Sequence, residues 1–506
     1  MSTNNTPYNH PPQMGQPMMP PPLRQRNPFP NWLSRYGVLT YLFALAIVSA
    51  LYSNFMIPWY YMLSGVVSIV VFFIYGSNVA KRTSVVQMHS KRTFEKRIFL
   101  VAFIPRLLWT LLIYKLFMEY YGDSFGFESG DALFYDDLAS RFADGIRKEI
   151  FREVWQSNLN VLDISDIGYA TYVGLIYYVA ANSIIVVRLL KCIWSALTVV
   201  LVYRLVKRNF NDRTARLVAI FCALWPNFWY YCGTHLKETE MVFLVVLFVE
   251  QADQMLRSRQ FTAWKVIPVL MVAAIMFTFR TALALVAILT LLFSVVMSSN
   301  RVVSLGKRII VGGLAILLIG VTMGNRIQEN AHELMQKVQS NEQKKNMEWR
   351  SVRTDGGGIQ QRFSKYAGAT VFAPLIFSIP FPTMIRPFEG QDVQQLLNGG
   401  NFVKNIISFF TIFAIVFLFI TGKWRDHLLP LSFLLGYSLV LVFSMFAQSE
   451  RFHQPVMPFE FMFAAYGMSI AVTKLKYKRW FTYWCGMMFI AAIAWNWFKL
   501  AGRGLV

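Results

Sequence analysis

The sequence predicts an all-α, polytopic membrane protein. Three observations predict it. Over 506 residues the chain is 55% hydrophobic and 16% aromatic but only 15% charged, which is too apolar for a soluble chain of this size. Apolar runs of about 17–22 residues recur along its length, each long enough to cross about 30 Å of hydrocarbon as a helix. Lys and Arg fall in short clusters between those runs, as the positive-inside rule requires. The runs must be helices because an open sheet edge could not be satisfied in lipid. The formal charge of +22 is spread over these clusters and not along one soluble face, so no nucleic-acid partner is expected.

Residues 1–35, rich in Pro, Asn, Gln and Met, form a tail expected to be disordered and cytoplasmic. An N-terminal hairpin over 36–80 supplies spans near 38–57 and 60–79. The following segment, Lys81–Arg97, carries six cations against Glu95 and belongs inside. A span near 98–118 then delivers the chain to an acidic external loop, residues 119–166. Gly168–Ala181 is too short to cross and is expected at the interface. The span near 183–206 ends in Arg204, Lys207 and Arg208, which returns the chain to the cytoplasm. Further spans are expected near 214–233, 239–255, 264–279, 281–298 and 308–324. A second external segment over 325–400 precedes four last spans near 402–421, 427–447, 455–473 and 480–498, within 401–500. The total is about 13. The N-terminus is expected inside, and the compact chain without a eukaryotic retention signal points to a bacterial inner membrane. Cys192, Cys222, Cys232 and Cys485 have no metal-like spacing.

The external segments hold the candidate chemistry. Asp131 opens a helical pattern in which Tyr135 and Ala139 share its face. An Asp there is either a helix cap or a base; Asp136 and Asp137 are adjacent reserves. Lys237, beside Glu238, and Arg451, beside Glu450, are cations at external ends of spans, where charge bias disfavours them. An anionic partner explains them, as would snorkelling or an ion pair with the neighbouring Glu. Arg280 and Arg386 are weaker candidates on the same logic. His453, two residues after Arg451, could reach a phosphate or a sugar hydroxyl, or be satisfied within the protein. Trp225-Pro226 predicts a kink, and Trp229-Tyr230-Tyr231 an interfacial belt.

These segments together resemble the GT-C class of membrane glycosyltransferases, which includes protein O-mannosyltransferases and lipid A aminoarabinose transferases. Asp131-Ala-Leu-Phe-Tyr135 is similar to the class's Asp-Glu-x-x-Tyr element in the first external loop. Gly168-Tyr169 through Tyr203-Arg204, Asn211-Asp212-Arg213-Thr214-Ala215-Arg216, Leu224-Trp225-Pro226-Asn227 and Leu236-Lys237-Glu238 follow in the class's order. Ser449-Glu450-Arg451-Phe452-His453-Gln454-Pro455-Val456-Met457-Pro458 resembles its Glu-Arg-Tyr-x-x-Pro-x-x-Pro element. Ala132 and Phe452 depart from the pattern, and two extra spans precede it.

The resemblance implies a GT-C-like transmembrane core over 98–324 and transfer of a sugar from a polyprenyl-phosphate donor to a lipid, glycan or protein acceptor on the periplasmic side. Asp131 would be the catalytic base of an inverting displacement. Tyr135, Lys237, Glu238, Arg451 and His453 would bind substrate. No cofactor or metal ligand set is expected, although a divalent ion stays open. Two other classes remain: an O-antigen or capsule polymerase or ligase, working through paired arginines, and a lipid-linked glycan flippase or transporter, which would carry charges within spans or an inverted repeat.

Overall fold

The computed structural model describes residues 28–85, 91–128, 130–161, 164–258, 263–298, 375–386, 392–444, 446–471 and 475–501, with isolated positions 303, 306 and 313. Among them the chain is helical, and its one β-bridge joins Met56 to Ile385. The order begins with α1 (Asn31–Leu51), α2 (Trp59–Val70), which runs through a π turn into α3 (Gly76–Val85), and α4 (Lys91–Tyr120). The acidic stretch folds as α5 (Gly130–Arg147), α6 (Phe151–Val161) and α7 (Ile164–Ala180). Next come α8 (Ile184–Asn209), α9 (Asp212–Leu224), α10 (Pro226–Cys232), α11 (Glu238–Arg257), α12 (Ala263–Phe279) and α13 (Thr281–Met297). The described chain closes with α14 (Asp392–Leu396), α15 (Asn398–Ile420), α16 (Leu428–Phe443), α17 (Glu450–His453), α18 (Met457–Ala471) and α19 (Leu475–Ala501).

Among the described residues, six helices are long and apolar enough to cross a membrane: Asn31–Leu51, Trp59–Thr83, Thr93–Tyr120, Ile184–Asn209, Asn398–Ile420 and Lys423–Phe443. The expected spans near 264–279 and 281–298 are apolar but shorter. The spans expected over 214–233 and 239–255 take other forms. The first is broken at Trp225 into α9 and α10, and the second becomes α11, which buries Glu240, Glu250 and Asp253. The span near 308–324 and the tail 1–27 lie outside the described residues. In the second external segment, residues 379–385 run without helix beside the end of the first hairpin, where Arg386 N–H donates to Phe55 O at 2.7 Å.

The break between α9 and α10 has a cause in the sequence. A continuous helix would satisfy Cys222 O with the N–H of residue 226, and Pro226 has none. Arg106, fully buried on α4, takes over: Nη2 donates to Cys222 O at 2.8 Å and Nη1 to Ala223 O at 3.2 Å. Its Nη1 also reaches Ala102 O and its Nε reaches Ser195 Oγ, each at 2.7 Å. A charge inside a span is thus spent on the carbonyls that a proline left bare.

One end of the bundle gathers the predicted inner clusters. Asn211 caps α9 by accepting from Thr214 N at 2.8 Å. Asp212 binds Tyr203 Oη at 2.6 Å and pairs with Lys207 and Arg216, each at 2.7 Å. Arg208 grips Asp253 at 2.6 Å and Glu250 at 3.2 Å across to α11.

Small residues let helices close elsewhere. A Cβ on Gly467 of α18 would lie 2.1 Å from Phe410 O of α15, and one on Gly399 of α15 would lie 2.8 Å from Gly65 O of α2. On α7 a Cβ at Gly168 would strike Thr278 Oγ1 at 2.2 Å, so this interfacial stretch packs directly on α12.

Arg106→Met should therefore orphan Cys222 O, at a cost of about 1–3 kcal/mol for a buried unsatisfied carbonyl. The expected outcome is a lower thermal midpoint of the purified protein in lipid nanodiscs; an unchanged midpoint would show that the break is satisfied without the guanidinium.

Candidate functional site

The helix α5 begins at Gly130 and carries Asp131 in its first turn, where a carboxylate is favoured by the helix N-terminus. On the far side of the sequence, the short α17 presents Arg451. The two meet: Arg451 Nη1 donates to Asp131 Oδ2, and its Nε donates to Glu238 Oε1 at the start of α11. The triad grades from outside to inside, with the side chains of Asp131, Arg451 and Glu238 exposed by 56%, 15% and 0%. Burial works against the charge on Arg451, but the Glu238 and Asp131 carboxylates outweigh it and hold its pKa above the usual guanidinium value. Glu238 is thus the fixed anchor and Asp131 the accessible end.

A second cation stands next to this triad. The Arg280 guanidinium lies 4.5 Å from the centre of the Phe452 ring, and that of Arg451 lies 5.9 Å from the same centre. One aromatic ring therefore holds two arginines from distant segments in one neighbourhood. No hydrogen bond is made by Arg451 Nη2 among the described residues.

Lys237 does not face outward as a ligand would. Its Nζ donates to Ser165 O at 3.0 Å, to Phe279 O at 2.8 Å and to Asp166 Oδ1, which uses all three ammonium hydrogens. Burial, with the charge of Arg280 adding, pulls its pKa down to about 8 against the opposing pull of Asp166. The partner Asp166 would be raised by burial, yet Lys237 and Tyr135 bring it below the usual carboxylate range. Tyr135 Oη donates to Asp166 Oδ1 at 2.8 Å, and its ring is buried. Tyr135 and Lys237, expected to bind substrate, instead form a brace that fixes the helix bearing Asp131.

His453 also departs from expectation. Its Nδ1 lies 2.7 Å from Lys404 Nζ and its Nε2 lies 2.7 Å from Ala447 O, so both nitrogens are engaged within the protein. It steadies the turn that carries Arg451, with Lys404 in turn 3.7 Å from Glu460. Arg386 pairs with Asp392 at 3.7 Å, and Asp136 accepts from Tyr177 Oη, so neither joins the triad.

Sequence reasoning passed over Glu128. It is fully buried and accepts from Arg188 Nη2 at 2.8 Å and from His235 N–H at 2.7 Å. Burial pushes its pKa up to about 7 against the pull of Arg188. The signal was present in Arg188 itself, since a cation at the end of a span requires a partner. Among the described residues, no group of three or more His, Cys, Asp or Glu could hold a metal ion.

Residues 168–323 match the family model described as dolichyl-phosphate-mannose-protein mannosyltransferase. No curated protein and no solved structure matches the chain. The matched stretch contains Lys237, Glu238 and Arg280, whereas Asp131 and Arg451 lie on either side of it. Over that stretch, under a third of its length, the chain is similar to a mannosyltransferase family, and the long apolar helices among its described residues mark it as an integral membrane protein.

Proposed function

We propose that the protein transfers a sugar from a polyprenyl-phosphate donor to an acceptor at the external surface of a bacterial inner membrane, with Asp131 as general base. The observation that carries this reading is the Asp131–Arg451–Glu238 triad, in which one exposed carboxylate and one buried carboxylate share a single guanidinium. Asp131 takes the proton of the acceptor hydroxyl as its oxygen attacks the anomeric carbon. The bond from that carbon to the phosphate oxygen breaks, and the phosphate leaves with the electron pair. A single displacement inverts the anomeric configuration.

Arg451 supports both partners of the step. Through Nη1 it orients the Asp131 carboxylate, and its Nη2, together with Arg280 across Phe452, is available for phosphate oxygens. Two guanidinium groups supply the charge neutralisation that other enzymes draw from a divalent ion, so no metal is invoked. The external assignment follows the clustering of Arg204, Lys207, Arg208 and Arg216 at the other end of the bundle.

The test is a mass-spectrometric profile of surface glycolipids and glycoproteins from cells carrying the wild type, a deletion or Asp131→Asn at equal membrane abundance. The deletion and Asp131→Asn are expected to lose the same sugar, with turnover reduced by at least about 100-fold, the lower range for removal of a general base. A profile that changes on deletion and survives Asp131→Asn would reduce Asp131 to a helix cap.

A pH dependence follows from Lys237. Its depressed pKa leaves it charged below about 8 and neutral above, where it releases Asp166 and with it Tyr135. Activity in nanodiscs should fall as pH rises through about 8, and Lys237→Arg should move that limb to higher pH. A limb that stays in place would assign it to another group.

A further inference from the structure

The buried carboxylate that anchors the triad is held by one oxygen only. Glu238 Oε1 accepts from Arg451 Nε, whereas Oε2 is buried and meets no hydrogen-bond donor among the described residues. Two further polar atoms share its position. Thr239 Oγ1, from the next residue of α11, and Gln454 Oε1, from the 3₁₀ turn Gln454–Val456 that follows α17, are likewise buried without a partner. The three residues are exposed by 0%, 6% and 1%, so bulk solvent does not satisfy them. All three line one small cavity, closed on its apolar side by Phe228 of α10 and Val242 of α11. Its volume is about 10 Å³, close to the least that holds one water molecule.

The donor and acceptor balance of this lining selects its ligand. Gln454 Nε2 donates to Glu450 O at 2.8 Å, which leaves Oε1 as the atom the amide offers to the cavity. A carboxylate oxygen and an amide oxygen each require a hydrogen, and the Thr239 hydroxyl can give or take one. Water answers all three: it donates to Glu238 Oε2 and to Gln454 Oε1, and it accepts from Thr239 Oγ1. Left bare, each of these buried atoms would carry a full desolvation cost. A divalent cation fits poorly, because three oxygens fall short of the roughly six that calcium or magnesium takes, and the Glu238 charge already faces Arg451.

We infer that this cavity binds one ordered water that bridges Glu238, Thr239 and Gln454, and that Thr239 and Gln454 are positioning residues for the Arg451 guanidinium. A carboxylate held at one oxygen can still turn about its terminal bond, which is a broad torsion. Water on Oε2 fixes the carboxylate plane, and with it the direction from which Arg451 Nε is met. The bridge also ties the first turn of α11 to the turn that carries Arg451, a second link between segments otherwise joined by the ion pair. The bound water stands on the cavity and its lining alone; its effect on sugar transfer rests on the proposed transferase reading.

The experiment is electron cryomicroscopy of the full chain in lipid nanodiscs, in sodium chloride and in choline chloride, at a resolution that shows ordered water. A density about 2.8 Å from Glu238 Oε2, the usual O–H···O separation, is expected in both salts. It should vanish in the double variant Thr239→Val, Gln454→Met, which keeps side-chain volume and removes both oxygens. In cells, the sugar that deletion removes from the glycan profile should fall several-fold in Thr239→Val and return in Thr239→Ser, at equal membrane abundance and equal thermal midpoint. No density in the wild type, density in sodium chloride alone, or density that survives the double substitution overturns the bound water. Equal amounts of the sugar in Thr239→Val and Thr239→Ser overturn the positioning role. The density is read without any turnover, so it can fail while the Asp131→Asn profile stands, and the reverse.

Discussion

The end of the molecule that carries Asp131 depends on one ammonium group. Lys237 has three hydrogens and three acceptors, contributed by Ser165, Asp166 and Phe279. Each anchor adjoins a residue of the site. Asp166 holds Tyr135, which sits one helical turn beyond Asp131; Phe279 precedes Arg280; Lys237 itself precedes Glu238, the buried partner of Arg451. A point charge with no preferred acceptor plane suits a junction of two carbonyls and a carboxylate, where a planar guanidinium would impose its own geometry. Removing one member of a buried ion pair is worth about 3–5 kcal/mol because the other charge is left uncompensated. Here the same loss would also free three helices from one another.

Around that junction the protein separates its charges into two populations. At the end that carries Asp131, Arg188, Lys191, Lys237 and Arg451 are each paired with a buried carboxylate or carbonyl, and the pairs involve Glu128, Glu240 and Glu238. At the opposite end the half-buried Asp212 and the buried Glu250 and Asp253 pair with Lys207, Arg208, Arg216 and Arg257 and tie α8 to α9 and α11. The motif Asn211-Asp212-Arg213-Thr214 is therefore scaffold: a cap and an ion-pair hub. The elements that meet in the candidate site are those around Asp131, Glu238 and Arg451.

The sequence made the membrane character, the helical class and the separate candidacy of Asp131 and Arg451 legible, because hydropathy, charge bias and an early acidic turn are local signals; that the two meet across 320 residues is seen only in the fold. What it concealed was the use of each donor. Lys237 and Arg451 look alike in sequence, each a cation beside a Glu at the end of an apolar run. Only the fold shows that one spends all its hydrogens on the protein while the other keeps some in hand. His453 fell to the same ambiguity, since Lys404, its partner, lies 49 residues away. The broken span at Trp225 was legible as a kink from Pro226, but the guanidinium that stabilises it comes from Arg106, more than a hundred residues earlier.

The close approach of Gly65 to Gly399 bears on what counts as the enzyme. The first hairpin lies outside the pattern shared with the class, which invites treating it as an appendage that could be trimmed. Yet its Tyr41 donates to Asn398 at 2.6 Å, and its Phe72 packs on Phe221 and Phe461, whose helices form the centre of the bundle. The backbone contact at Gly399 falls at the root of α15, next to the amide that meets Asn227. The hairpin is thus an integral wall of the fold. A shortened chain beginning after it would bare the backbone of α15 at Gly399 and the ring faces of Phe221 and Phe461, surfaces shaped for contact between helices.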